Sequence, residues 1–156
     1  LIKGIVGSEK AKFTEVTELA AKQLIRTILQ PGDILSSGHC HLGGIDIWAE
    51  EIAKEEGCYD ENYIFPPKIL RWSGGFRERN LKIARNSEEV HNITVSEYPS
   101  DYKGMRFKKC YHCDTTEHVK SGGCWTAKKS KRAYWHVIYP DGSVKSSPKA
   151  FYTSLL

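Results

Sequence analysis

Residues 33–53, DILSSGHCHLGGIDIWAEEIA, decide the reading of the fold. Asp33-Ile34-Leu35-Ser36 is a short apolar run of strand length. Ser37 to Gly44 is a turn-rich loop with three glycines. Ile45, Trp48, Ala49, Ile52 and Ala53 then recur at helical spacing, and Gly57 ends the pattern. Strand, glycine loop and amphipathic helix in that order form the repeating unit of a parallel sheet.

The flanking sequence repeats the unit. LIKGIV at 1–6 reads as a buried strand ending at Gly7-Ser8. Thr14 is placed to cap a helix whose inner face carries Val16, Leu19, Ala20, Leu24 and Ile28, with Pro31-Gly32 as its stop. Tyr63-Ile64-Phe65, closed by Pro66-Pro67, reads as a third strand, and residues 76–86 as a helix. Val90–Val95 and Tyr134–Tyr139 read as strands four and five, with a helix from near Thr126 between them and a hairpin arm after Asp141-Gly142. The expectation is an α/β, Rossmann-like three-layer sandwich around a central, mostly parallel sheet. One domain over residues 1–156 is expected, with a basic, Cys/His-rich insertion at about 96–120 that has no period of its own.

The chain has 156 residues, 40% of them apolar and 27% charged, a composition that excludes general disorder. No apolar run of about 18 residues occurs, so a membrane partner is not expected. LIKGIVGSEK brings a glycine and charges in too early for a signal-peptide core, and five cysteines is an odd number, so reduced thiols in the cytoplasm are expected. The net charge of +4 is unevenly spread. Residues 103–132 hold nine basic residues against Asp114 and Glu117, whereas residues 1–102 hold twelve basic against sixteen acidic. Such a stretch suits an anionic ligand or a phosphate backbone.

The glycine-rich segments fall at the C-terminal ends of the expected strands, where open α/β sheets bind ligands. They are Gly7-Ser8, Gly38 through Gly43-Gly44, Gly74-Gly75 and Ser121-Gly122-Gly123. Backbone amides of Gly43-Gly44 and Ser121-Gly123, each opening a helix, are expected to cradle an anion between them. Asp46 caps its helix or accepts from a ribose hydroxyl, Arg79 reaches a phosphate, Asn80 bonds a base or the backbone, and Thr126 adds a hydroxyl. Trp72 and Trp125 are placed to stack on a base or to cover the core. Cys110, Cys113, His118 and Cys124 read as C-x2-C-x4-H-x5-C, a ligand set for a tetrahedral zinc site, with His112 as an alternative ligand.

Together, Gly7-Ser8, then Ser37-Gly38 with Gly43-Gly44-x-Asp46-x-Trp48-Ala49, then Arg79-Asn80-x2-Ile83-Ala84, then Ser121-Gly122-Gly123-x2-Thr126 resemble the SLOG superfamily, the fold of the DprA/Smf and LOG proteins. The nearest members are YspA-like, and the resemblance covers roughly residues 1–95 and 121–142. It implies a pocket for a nucleotide or nucleotide-derived ligand lined by Gly7, Ser8, Gly38, Gly43, Gly44, Asp46, Arg79, Asn80, Ser121, Gly122, Gly123 and Thr126, and it implies a homodimer. Glu9 stands where YspA-like members carry Arg, and Lys129 stands where the LOG branch carries its glutamate.

Nucleotide binding is therefore the expected function. One alternative is hydrolysis of a nucleotide's glycosidic bond with Asp46 or Glu78 as the carboxylate. The other is a zinc-containing nucleic-acid-binding module built on the basic stretch.

Overall fold

A computed structural model describes residues 1–148. Five strands and four helices follow one another as β1 (Ile2–Gly7), α1 (Glu15–Ile28), β2 (Ile34–Ser36), α2 (Ile45–Glu56), α3 (Arg77–Asn86), β3 (Glu89–Val95), α4 (Gly123–Lys129), β4 (Ala133–Ile138) and β5 (Val144–Ser147). The sheet order is β2-β1-β3-β4-β5, parallel except for the antiparallel β4–β5 pair. The fold is the expected Rossmann-like α/β sandwich. Strand order reverses between β1 and β3, and sheets of this kind bind ligands in the crevice beyond such a reversal.

Side-chain alternation along the strands builds two cores. Ile5, Leu35, Ile93, Val95 and Ile138 pack beneath α1 and α2. Val6, Val90, Trp135 and Val137 pack on the opposite face with Ile83 of α3 and Cys124 and Ala127 of α4. No helix among the described residues is long and apolar enough to cross a membrane.

Helix α2 buries Ile45, Trp48, Ala49, Ile52 and Ala53 as its periodicity predicts, and left-handed Gly57 ends it. Helix α1 starts at Thr14 as expected but is turned about its axis. Thr17, Ala21, Ile25 and Ile28 face the core, while Val16 and Leu19 are 50% and 60% exposed. Ala20 and Leu24 of the expected face are partly buried against the core, and a reciprocal capping box starts the helix: Thr14 Oγ1 accepts from the Thr17 N–H and Thr17 Oγ1 from the Thr14 N–H. Small Ala21 then lets the helix approach the sheet.

Tyr63–Phe65 is not a strand. Glu61–Tyr63 forms a 3-10 turn whose Asp60 side chain accepts from the Asn62 N–H, and Ile64 makes only an isolated bridge to Ser37. Pro66 and Pro67 lack the N–H groups that would continue a ladder along β2. Residues 96–122 hold no helix or extended ladder. Arg106 ties part of this segment by donating to the carbonyls of Pro99, Ser100 and Tyr102, beneath a stacked Tyr98–Tyr102 pair.

Candidate functional site: a cavity beside a Cys/His cluster

A cavity of about 470 Å³ opens beyond the C-terminal end of β1, at the reversal of strand order. Its floor is Val6 and Gly7. Asp46 enters from the first turn of α2, while Phe76, Arg79, Asn80 and Ile83 enter from α3 and the residue before it. Gly122, Gly123, Trp125 and Thr126 come from the start of α4, and His112 and Lys120 from the irregular segment. Trp72 meets Trp125 edge to face at 4.8 Å, giving the cavity an aromatic wall.

Of the residues expected in the pocket, Gly7, Asp46, Arg79, Asn80, Gly122, Gly123 and Thr126 line it together. Ser8, Gly38, Gly43, Gly44 and Ser121 are not in its lining. Ser8 is buried with its hydroxyl 2.8 Å from that of Thr94, and Ser121 Oγ lies 3.4 Å from Asn92 Oδ1. The Gly38 carbonyl accepts from Arg79 Nη1, whose Nε donates to Asn80 Oδ1 while the guanidinium lies over the Phe76 ring. Gly44 faces the backbone of Ser8–Lys10, and the first amide of α2, that of Ile45, already donates to the Ser8 carbonyl at 3.2 Å. The expected cradle between Gly43-Gly44 and Ser121-Gly123 is therefore not formed. Arg79 and Lys120 supply the positive charge in its place.

Asp46 does not cap α2, whose N-cap is Gly44. Its Oδ2 accepts from the Cys40 N–H at 3.1 Å. Burial pushes its pKa up to about 6, against the opposing pull of Arg79. Since the folded-state value lies above the ordinary 3.8, the native state gains from protonated Asp46 below that value, and the gain is lost as pH rises through 6. The difference is worth about 3 kcal/mol. Asp46→Asn, which keeps an acceptor for Cys40, is thus expected to be more stable than the parent above pH 6. The advantage shrinks toward zero at pH 4, as urea titrations at both values would register. A parent whose stability is flat from pH 4 to 7.5 would contradict this.

Beside Asp46, the buried Glu50 carboxylate holds His39 Nδ1 at 2.7 Å. His39 adopts a left-handed φ of 49°, a conformation that His, Asn and Asp take more often than other side-chain-bearing residues. The pair braces the 39–41 loop where Cys40 and Asp46 meet the cavity.

Behind the α4 wall lie Cys110, Cys113, His118 and Cys124, all buried, with their ligand atoms within 4.8 Å of one another. Cys110 Sγ is 3.9 Å from Cys124 Sγ, which is 4.0 Å from His118 Nε2. Tetrahedral bonds of about 2.3 Å require ligand separations near 3.8 Å, so these four can hold a metal ion with little adjustment. A bridge between Cys110 and Thr115 closes the loop bearing the first two thiols. His118 Nδ1 donates to the Val119 carbonyl at 2.7 Å, which leaves Nε2 as the ligand atom. Buried Asn92 donates its amide to Cys124 Sγ at 3.2 Å.

Hydrogen bonds from Cys113 and Cys124 favour the Cys110 thiolate, and that neighbour pushes Cys113 up to about 11 and Cys124 higher still. Three such close thiols ionise together only around a cation. The structure thus selects Cys124 over His112 as the fourth ligand. His112 lines the cavity instead, and its carbonyl accepts from Lys128 Nζ.

Sequence reasoning missed Phe76, Ile83, Lys120 and the cavity role of His112. Phe76 directly follows Gly74-Gly75 and Lys120 directly precedes Ser121-Gly122-Gly123, so adjacency to the glycine segments was the available signal. Comparison of the chain with protein-family models, curated proteins and solved structures gives no match.

Proposed function

We propose that the protein binds a nucleotide or nucleotide-derived ligand in this cavity, in the manner of the SLOG fold it resembles, and that zinc occupies the Cys/His cluster as a structural ion. One observation carries the first part. An aromatic wall, two cations and a buried carboxyl converge on a single cavity of ligand-binding size. Trp72 and Trp125 suit a base, Arg79 and Lys120 a phosphate, and Asp46, beside the Cys40 N–H it accepts from, a further hydroxyl or amino donor. The zinc reading follows from the donor set, since three thiolates and an imidazole in a closed, buried tetrahedron suit Zn²⁺ over the harder divalent cations. Glu78 pairs with Arg77 outside the cavity lining, which leaves Asp46 as the one carboxylate there, among the described residues, for any hydrolytic chemistry.

Calorimetry with AMP, GMP, CMP, UMP and ADP-ribose tests the binding, with chromatography of the same mixtures for free base. Saturable binding at one site per chain is expected for at least one of them. Trp72 is 48% exposed, so Trp72→Ala should cost only about 1 kcal/mol, the worth of its edge-to-face contact with Trp125, and weaken that nucleotide about tenfold, the value of one lost base stack. Affinity unmoved by Trp72→Ala, or no binding across the panel, would count against the site.

A second reading, single-stranded nucleic acid as partner, is favoured by one specific feature. Lys109, Lys120 and Lys129 lie over Tyr111, Phe107 and Trp125, and Tyr111 is 59% exposed. Affinity for an oligonucleotide that falls steeply with salt would support it, and salt-independent binding would set it aside.

A further inference from the structure

On the α1 face of the sheet, toward the start of β3, four side chains form one hydrogen-bonded chain across three strands. Glu89 Oε2 lies 2.6 Å from His91 Nε2, His91 Nδ1 lies 2.9 Å from His136 Nε2, and His136 Nδ1 lies 2.7 Å from Ser146 Oγ. Glu89, His91 and His136 are buried, at 9%, 7% and 6% exposure, while Ser146 is exposed. Tyr134 stacks on His91 at 5.0 Å and screens the inner end of the chain.

The proton positions follow from the ends. An ionised Glu89 only accepts, so His91 carries its proton on Nε2 and presents Nδ1 as an acceptor. His136 must then donate from Nε2, which leaves its Nδ1 to accept from the Ser146 hydroxyl. The chain has one polarity, from an exposed hydroxyl to a buried carboxylate. That is the order of a serine–histidine–acid triad with one imidazole added. Burying a carboxylate and two imidazoles on a sheet face that otherwise carries Ile93, Val95 and Ile138 costs stability that an apolar set would not.

We infer that Ser146 is a nucleophile, with His136 as its base, and that it accepts acyl groups from activated carboxylic esters. Ser146 Oγ forms a bond to the carbonyl carbon while its proton passes to His136 Nδ1. The C–O bond to the leaving group then breaks, and the departing alkoxide takes that proton from His136. Water repeats the sequence to free Ser146 and the carboxylic acid. His91 and Glu89 are positioning residues. They fix the His136 tautomer, and the proton on His136 Nε2 can shift to His91 Nδ1, which brings the positive charge next to the Glu89 carboxylate. This site is separate from the cavity and does not rest on the nucleotide reading.

A fluorophosphonate probe tests the inference on the full chain. Attack by Ser146 Oγ on phosphorus expels fluoride and leaves a stable adduct that peptide mass spectrometry locates. Adduct on Ser146 is expected in the folded chain, none in the urea-unfolded chain, and none at that position in Ser146→Ala. His136→Gln should slow labelling at least 100-fold, the usual worth of a positioned base. Glu89→Gln should slow it about tenfold and Glu89→Asp less, an ordering that a purely structural role would not give. Failure of Ser146 to label in the folded chain, or equal rates folded and unfolded, would overturn the inference. Should His136→Gln fail to fold, the folded-against-unfolded comparison on the parent chain still decides.

Discussion

Cys113→Ser protein is expected to carry less than a tenth of an equivalent of zinc, against one equivalent for the parent, and to lose the cavity with it. A serine hydroxyl stays protonated where the thiol would ionise, so the substitution removes a ligand and a negative charge together. The consequence reaches the cavity because its walls hang on the ligands. His112 lies between Cys110 and Cys113, Lys120 is two residues beyond His118, and Trp125 follows Cys124. Residues 96–122 have no helix or extended ladder of their own to hold these positions.

Structural zinc contributes on the order of 10–16 kcal/mol in small metal-organised units, so loss of a ligand should release the segment rather than loosen it. Elemental analysis, hydrogen exchange over residues 100–122 and nucleotide calorimetry should all respond, with affinity falling at least 100-fold. The sheet and α1–α3 contribute none of the four candidate ligands and should keep their circular dichroism. A parent chain free of metal with a protected 100–122 segment would refute the prediction, as would undiminished nucleotide affinity in the variant.

What the sequence disclosed divides along physical lines. Features carried by local spacing were legible. Ile45 to Ala53 repeat at 3.6 residues and form α2, and Cys110 to Cys124 carry ligand spacing and meet in space. Features set by competition between local groups were harder to read. Hydrophobicity alone put Val16 and Leu19 inside, because Thr17 and Ala21, which meet the core in their stead, carry a weak apolar signature. Tyr63-Ile64-Phe65 has strand composition, but the prolines after it deny the ladder. Contacts between distant segments left no trace at all. His91 and His136 are 45 residues apart and meet only because β3 and β4 are neighbours in the sheet.

Gly44 illustrates a glycine whose presence was legible and whose purpose was not, and it yields the second large effect. A glycine at a helix start reads as room for a phosphate. Here the close approach is to the chain itself: a Cβ at Gly44 would lie 2.6 Å from both the Glu9 carbonyl carbon and the Lys10 nitrogen, and closer still to the Ser8 carbonyl oxygen. Its φ of 86° with ψ of −141° is a conformation that side-chain-bearing residues rarely adopt. Backbone atoms cannot swing aside as a side chain does, so Gly44→Val should cost about 3 kcal/mol or more in stability.

Gly122 is the contrasting case. It lines the cavity, adopts ordinary helical angles, and has nothing within 4 Å of where a Cβ would stand. Gly122→Leu should therefore fold within about 0.5 kcal/mol of the parent, as a substitution away from packed features does. Its side chain would enter the space proposed for the ligand and lower nucleotide affinity at least tenfold. Urea denaturation and calorimetry on the two variants give opposite patterns if Gly44 builds the turn and Gly122 faces the ligand. A stable Gly44→Val protein that has lost nucleotide binding would restore the phosphate cradle at Gly43-Gly44, and full affinity in Gly122→Leu would move the ligand out of this cavity.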